Sequence, residues 1–247
     1  MTKEQVFNLL NKAISHIGEN FNAEEREYFL DEPLRNANLP FEYSIDSGIS
    51  KAVILIKDMP FVIKMPFFKY YNDSCYWTEE EEDEDEEQDD EDFYYDLQGA
   101  SNINLGTNSE LAIEDWDYCH LESVIYQLAL QEGLGAYFAE EGYLGTIDFT
   151  PVYYQTRCTP MNSIPIDYNS REYEIKESKS QTICNKLQIF CFNEIWISDF
   201  IDQYGEEEFK RLNNFLARYD IGDLRSCNIG YLDGAPILFD YSGYRDW

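Results

Sequence analysis

The sequence predicts an α+β fold, because its apolar residues recur at strand spacing in some segments and at helical spacing in others. Two short apolar runs on either side of a turn indicate a β-hairpin over residues 53–65. Apolar stripes indicate helices over residues 111–141 and 206–219. A chain of 247 residues can hold one large domain or two small ones, and a single unit of two lobes fits this length.

The first segment, residues 1–40, has the pattern of a helical extension. Thr2 and Gln5 are spaced so that they can form a capping box at the start of a helix. The apolar residues that follow repeat at helical spacing, namely Val6, Leu9, Leu10, Ala13, Ile14 and Ile17. This pattern predicts a helix rather than an export signal, and the sequence contains no run with the length and apolar character of a transmembrane segment.

A β-hairpin and then a highly acidic block are predicted next. Residues 53–56 and 61–65 are apolar runs, and the turn Lys57-Asp58-Met59-Pro60 lies between them. Residues 79–92 contain thirteen acidic side chains in fourteen positions, and only Gln88 interrupts them. Such a block repels itself and has no apolar group to bury, so we predict a disordered insertion.

The remaining segments predict a helix, two strands and a second helix. The apolar stripe of the first helix consists of Leu121, Val124, Ile125 and Leu128, and its end is marked by Gly133 and Gly135. Residues 152–154 and 187–192 have the composition of strands, and a long polar loop is predicted between them. The second helix carries one apolar face, formed by Phe209, Leu212, Phe215 and Leu216.

Charge and cysteine usage exclude several classes of partner. The chain has 18 Lys and Arg against 49 Asp and Glu, a net charge of −31. We therefore expect no direct binding of nucleic acid and no attraction to an anionic membrane. The six cysteines form no C-x-x-C pair, which predicts free thiols in a reducing cytoplasm rather than disulfides or a structural zinc site.

The C-terminal residues include side chains that suit phosphoryl transfer. Asp223 is followed five positions later by Asn228, and Asp240 comes after a short apolar hairpin. Here the chain resembles the protein-kinase family, whose catalytic loop and Asp-Phe-Gly motif have these residue types in this order. The resemblance implies that Asp223 is the catalytic base and that Asn228 and Asp240 are ligands of Mg²⁺. Arg225, where many kinases have lysine, could neutralise the transferred phosphate.

The upstream elements of the family have counterparts in the expected order. The run Phe61-Val62-Ile63-Lys64 resembles the kinase strand that ends in lysine, and a lysine after such an apolar run needs a charged partner. Glu122 lies at the edge of the apolar stripe on the next long helix. The resemblance implies that Lys64 holds the α- and β-phosphates of ATP and that Glu122 positions Lys64. We predict that the two form a close ion pair.

The sequence also departs from the kinase pattern. Gly48 is the only glycine where the phosphate-binding loop of kinases has three, so Gly48 is the one candidate for contact with the nucleotide in that loop. Ile221-Gly222 replaces the His-Arg that precedes the catalytic aspartate, and Tyr241-Ser242-Gly243 has one additional residue before its glycine. Seven residues follow Asp240, without the activation segment and peptide platform of a kinase.

These features predict a compact kinase-like architecture that resembles kinase-like proteins encoded by bacteriophages. Residues 41–192 are expected to form an N-lobe with an antiparallel sheet and a long helix. Residues 193–247 are expected to form a truncated, mainly helical C-lobe that carries the catalytic and metal-binding loops. The resemblance covers residues 41–247 apart from the acidic insertion.

Two functions follow from these features. The resemblance implies a cytoplasmic phosphotransferase of unknown substrate that uses ATP and Mg²⁺ and has a protein partner, in the host cytoplasm if the chain is viral. The alternative is a weak or inactive binding protein on a kinase-like scaffold. Its acidic surface would block a basic site on a nucleic-acid-handling enzyme, such as one of host defence. The sequence leaves the substrate, the partner and the oligomeric state open.

Overall fold

A computed structural model describes residues 1–14, 17, 21–48, 50–67, 117–219 and 221–241. The chain divides into two compact units. The first comprises Met1–Ser123 and Glu141–Gln155, and the second comprises Val124–Glu140 and Thr156–Trp247. The acidic block at residues 79–92 lies outside the described residues. No helix in the described part of the chain has the length and apolar character needed to cross a membrane.

The first unit begins with helix α1 (Lys3–Ala13), whose predicted capping box is confirmed. Thr2 Oγ1 accepts a hydrogen bond from the Gln5 backbone N–H, and Gln5 Oε1 accepts one from the Thr2 backbone N–H. The helix ends before Ile14, which has extended backbone angles. The prediction of a helix that continues to Ile17 was therefore wrong. Ile14 and Ile17 are nevertheless both buried. A π-helical turn (Glu27–Asp31) and the short helix α2 (Glu32–Asn36) follow.

A five-stranded antiparallel sheet forms the centre of the first unit. Its strands are β1 (Tyr43–Ser47), β2 (Lys51–Ile56), β3 (Phe61–Pro66), β4 (Glu141–Ile147) and β5 (Thr150–Thr156). The order across the sheet is β1-β2-β3-β5-β4. The predicted hairpin is confirmed: β2 pairs antiparallel with β3, with Val53 opposite Lys64, and Asp58 in the turn has φ 59°. The α+β class predicted from the sequence is likewise what the structure has.

The core of the first unit lies between this sheet and the N-terminal helices. Val6 and Leu10 of α1 pack with Leu30 and Leu34 against buried side chains of β2 and β3. Because β3 is buried along its whole length, a charged residue on it cannot reach solvent. This burial positions Lys64, as described below.

Helix α3 (Tyr118–Gln131) carries the predicted apolar stripe, of which Leu121 and Ile125 are buried. It ends where a glycine was predicted to stop it, because Gly133 has φ 71° and begins a turn that leads into a 3₁₀ turn (Gly135–Tyr137). The predicted extension of the helix to residue 141 was wrong, since Glu141 begins β4. Residues 111–116 lie outside the described part.

The second unit is mainly helical. It contains α4 (Arg171–Leu187), α5 (Glu194–Tyr204) and α6 (Glu206–Arg218), together with a small sheet of β6 (Thr159–Pro160), β7 (Ile229–Leu232) and β8 (Ala235–Leu238). Helix α6 confirms the predicted helix and buries its four apolar residues. The turn Asp233-Gly234 joins β7 and β8, which pair antiparallel.

Two predictions for this unit were wrong. The polar segment before residue 187 is not a loop, because Ser170 caps a 17-residue helix there by accepting a hydrogen bond from the Tyr173 backbone N–H. Residues 187–192 are not a strand: α4 ends at Leu187, Gln188 adopts a left-handed conformation, and the chain continues as a loop. Phe192 of that loop packs against Trp196 of α5.

Candidate functional site

The first candidate cluster surrounds Lys64 on β3. Lys64 Nζ lies 2.5 Å from Glu122 Oε2, which confirms the ion pair predicted from the sequence. The lysine is 3% exposed and the glutamate is 0% exposed. Strand β3 places the lysine inside the unit, and the first turns of α3 place the carboxylate against it. Each charge therefore compensates for the hydration that the other loses on burial.

Two further charged residues join this pair, and sequence reasoning missed both. Lys51 Nζ donates to Glu122 Oε1 at 2.6 Å, and Lys64 Nζ lies 3.1 Å from Glu141 Oε2. Lys51 is 5% exposed and Glu141 is 1% exposed. The four residues, here called the buried quartet, consist of two lysines and two glutamates. Only Lys51 left a signal in the sequence, because it begins an apolar run just as Lys64 ends one.

The electrostatics of the quartet centre on Glu141. Its Oε2 accepts from Gln155 Nε2 at 2.6 Å as well as from Lys64, whereas its Oε1 has no hydrogen-bond partner. Burial raises the pKa of the Glu141 carboxyl well above its ordinary value, and the charge of Glu122 raises it further, while Lys64 opposes the shift. Glu141 therefore takes up a proton more readily than an exposed glutamate does.

A buried pair at the start of α3 lies close to the quartet. Tyr153 of β5 donates its hydroxyl to Asp117 Oδ2 at 2.7 Å, and Asp117 Oδ1 accepts from the His120 backbone N–H. Burial raises the pKa of Asp117, and burial together with the Asp117 charge raises the pKa of Tyr153. Cys119, fully buried, has a thiol whose pKa burial also raises. These groups anchor the first turn of α3, and with it Glu122.

The second candidate cluster lies in the second unit, around Asn228. The Asn228 backbone carbonyl accepts hydrogen bonds from the N–H groups of Phe239 (3.1 Å) and Asp240 (3.3 Å). Its side-chain Nδ2 donates to the Asp223 backbone carbonyl at 3.0 Å. The structure therefore brings together Asp223, Asn228 and Asp240, the three residues that the sequence placed in the catalytic and metal-binding loops. Asn228 is buried; its side-chain amide bonds within the loop, and its backbone carbonyl bonds to the residues that follow β8.

Arg225 binds the candidate base directly. Arg225 Nε donates to Asp223 Oδ1 at 2.6 Å, and one terminal guanidinium nitrogen donates to Asp223 Oδ2 at 2.9 Å. This bidentate pair is on the surface, since the Arg225 side chain is 62% exposed. Each Asp223 oxygen therefore accepts one hydrogen bond from the guanidinium and keeps a further lone pair.

Gly48 lies in the loop between β1 and β2, and its backbone N–H donates to the Lys51 carbonyl at 3.1 Å. Its φ is not positive, and a Cβ placed on it would meet no atom within 4 Å. The fold itself therefore does not require glycine here.

The oxygen donors of the second cluster suit a small, hard cation. Asn228 supplies an amide oxygen, which currently accepts from the Cys227 thiol at 3.1 Å, and Asp240 supplies a carboxylate. Mg²⁺ commonly takes one or two protein oxygens and completes its shell with water and phosphate, so this pair fits it. No group of three or more His, Cys, Asp or Glu side chains is arranged around a metal position among the described residues.

No family model matches the chain, and no curated protein is significantly similar to it.

Proposed function

We propose that the protein is a protein-kinase-like phosphotransferase that binds ATP with Mg²⁺ and transfers a phosphoryl group to a protein hydroxyl in the cytoplasm. The observation that carries the proposal is the Lys64–Glu122 ion pair, in which both charges are buried and which joins residues 58 positions apart. A surface lysine and a solvated helix carboxylate would not meet in this way. The pair has the residue types and chain order that phosphate positioning in kinases uses.

The lysines supply positive charge for the α- and β-phosphates. Lys64 is the principal candidate, and Lys51 is a second one because it shares the same Glu122 carboxylate. Glu122 is a positioning residue, since it fixes both ammonium groups through hydrogen bonds of 2.6 Å and 2.5 Å.

The second cluster supplies the metal ligands and the base. Asn228 and Asp240 would hold Mg²⁺, which supplies charge neutralisation at the transferred phosphate when bound. Asp223 would accept the proton of the attacking hydroxyl, and Arg225 would leave Asp223 to pair with phosphate oxygens. Hydrogen bonds of 3.0 Å and 3.3 Å join Asn228 to the Asp223 and Asp240 backbones and hold the base and the metal ligands near each other.

Thermal unfolding with and without Mg²⁺-ATP tests the proposal. At about 100-fold excess over its dissociation constant, a ligand stabilises a protein by about 2.7 kcal/mol. For a chain of this size, that stabilisation corresponds to a rise in Tm of roughly 5–10 °C. We expect this rise to need Mg²⁺ and to lose its Mg²⁺-dependent part in Asp240→Ala. Asp202→Asn on α5 is the matched control, since this exposed aspartate belongs to neither cluster and should leave the rise unchanged.

Catalysis needs a separate measurement, because binding alone does not establish transfer. Incubation with γ-labelled ATP should label the protein itself or a dedicated partner. Asp223→Asn should abolish labelling and retain the thermal shift, because it removes the base and leaves the metal ligands. No thermal shift at any accessible ATP concentration would overturn the proposal.

The second candidate is an inactive kinase-like scaffold that binds a basic site on a nucleic-acid-handling enzyme. The net charge of −31 favours it, as does the Asp223–Arg225 pair, which occupies the candidate base. In this case Asp240→Ala would bind the cellular target as the unaltered protein does, and ATP would have no effect on that binding.

A further inference from the structure

An open cleft of about 810 Å³ lies in the second unit. One wall consists of the N-terminal part of α4 and the first turns of α5. The other consists of the β7–β8 turn and the segment of residues 159–167 that precedes α4. A cleft of this size is in the range of the sites that bind small molecules and peptide side chains.

The floor of the cleft is apolar. Met161, which is buried, and the half-buried Ile164 and Ile195 line it, and Pro165 and Ile166 extend this surface. An occupant that covers these side chains would remove apolar area from water, which a small hydrated ion cannot do.

The rim of the cleft is acidic. Asp167, Glu172, Asp199 and Asp233 line it, against Lys176 as the one lysine among the lining residues. Lys176 Nζ lies 2.9 Å from Asp199 Oδ1 and 3.5 Å from Glu172 Oε1. The remaining two carboxylates, Asp167 and Asp233, form no ion pair with any residue in the described ranges. Lys176 therefore pairs with two of the four rim carboxylates. Asp167 and Asp233 can pair with a second cation, supplied by an occupant of the cleft.

We propose that this cleft docks a basic, partly apolar segment of a protein partner. An arginine or lysine of the segment pairs with Asp167 and Asp233, and an adjacent apolar side chain covers Ile164 and Ile195. Charge complementarity selects this occupant over a second copy of the chain, which has 49 acidic and only 18 basic residues. A free organic cation would satisfy the rim and leave the apolar floor in water.

The cleft is connected to the loop that contains Asn228. The Asn162 backbone N–H donates to the Ser226 carbonyl at 3.0 Å, and Tyr231 of β7 donates its hydroxyl to Asp199 Oδ2 at 2.7 Å. Docking does not depend on phosphoryl transfer, but an occupant of the cleft would contact the β7–β8 hairpin, which directly follows Asn228.

The test uses a fluorescein-labelled peptide, Gly-Ile-Arg-Arg-Leu-Gly-Ser-Gly, titrated with the full chain and followed by fluorescence anisotropy. A second peptide has both arginines replaced by glutamine, and a third has the isoleucine and leucine replaced by serine. We expect the first peptide to bind best and its affinity to fall as salt rises. In a methyl-labelled sample, its binding should shift the Ile164 and Ile195 methyl signals.

The matched variants separate the cleft from the general charge of the chain. The double variant Asp167→Asn, Asp233→Asn removes two charges from the rim. Asparagine at residue 233 tolerates the positive φ of the turn, and asparagine at residue 167 can still accept the hydrogen bond from the Asn169 backbone N–H. Glu174→Gln with Glu207→Gln removes two exposed charges that do not line the cleft. We expect the first pair to weaken binding about fivefold to tenfold and the second pair to change it less than twofold.

Equal binding by the two double variants would overturn the proposal, because it would show nonspecific attraction to an acidic chain. Equal binding of the serine peptide would overturn the assignment of an apolar neighbour. Asp240→Ala separates the docking proposal from the nucleotide proposal. If this variant loses its thermal shift with ATP and still binds the peptide, docking does not require bound nucleotide. Peptide binding that is absent from the unaltered protein would overturn docking alone and leave the nucleotide proposal unaffected.

Discussion

Replacing Lys64 with methionine removes the central cation of the buried quartet and keeps most of the volume of the side chain. The ammonium of Lys64 contacts Glu122 at 2.5 Å and Glu141 at 3.1 Å. After the substitution, Glu122 keeps Lys51 at 2.6 Å, and Glu141 keeps the neutral Gln155 amide as its hydrogen-bond donor. The quartet would then hold two buried carboxylates and one buried cation.

Removing one partner of a buried ion pair costs about 3–5 kcal/mol of unfolding free energy. We expect about 3 kcal/mol at neutral pH, the lower end, because Lys51 still compensates Glu122. This loss is a large fraction of the total unfolding free energy of a typical domain, which is about 5–15 kcal/mol. It should shrink as pH falls through the raised pKa of Glu141, because a protonated Glu141 no longer needs a cation.

Urea unfolding across about pH 5–8 measures both parts of this prediction. The control is Lys57→Met on the same hairpin, where the same substitution removes an ion pair to Glu42 of 2.7 Å. The Lys57 side chain is 60% exposed, so the control should cost less than about 1 kcal/mol and show no such pH dependence. If Lys64→Met costs no more unfolding free energy than Lys57→Met at neutral pH, the Lys64 charge does not stabilise the fold through the quartet.

Three further predictions concern single positions. Gly230→Ala should cost about 1–3 kcal/mol by urea unfolding, because a Cβ there would lie 2.1 Å from the Thr159 carbonyl oxygen in the β6–β7 pair. Gly48→Ala should change unfolding free energy by less than about 0.5 kcal/mol, so a weaker thermal shift with ATP in this variant would place the loop against the nucleotide. Thr2→Ala should cost about 1 kcal/mol, since it removes the capping box, and a loss near zero would show that α1 does not depend on its cap.

Elements whose signal is local could be predicted from the sequence. The capping box of Thr2 and the hairpin around Asp58 depend on residues within a few positions of each other, and both are present. Helix α4 was missed because its apolar period is sparse: of its 17 residues, only Ser180, Ile183 and Cys184 are buried. A helix that is held by a cap and a narrow packing stripe resembles a polar loop in composition.

The difference between local and long-range signals also explains which members of the buried quartet could be predicted from the sequence. Lys64 and Glu122 could be paired in advance because the resemblance supplied their order and the apolar strand supplied the need for a partner. Glu141 follows another glutamate and precedes a glycine, so nothing near it in the sequence indicates burial. Its position depends on β4 folding beside β5, where Gln155 meets it across the two strands.

The quartet leads to a final prediction about how nucleotide binding depends on pH, if the proposed function holds. With Lys51 and Lys64 facing Glu122 and Glu141, the charges of the two lysines are already balanced by two carboxylates. A phosphate that approaches Lys64 therefore gains little unless one carboxylate becomes neutral. Glu141 is that group, because burial and the charge of Glu122 already raise its pKa.

An anion bound at Lys64 raises the pKa of Glu141 further, so binding should take up a proton. The affinity for Mg²⁺-ATP should accordingly fall as pH rises through the pKa that Glu141 has in the free protein. Isothermal titration in two buffers of different ionisation enthalpy measures the proton uptake directly. In Glu141→Gln, which keeps the shape of the side chain and removes the titrating group, uptake should vanish and the affinity should become independent of pH over the same range. Proton uptake of equal size in Glu141→Gln would assign the linkage to another group and show that Glu141 does not take up the proton.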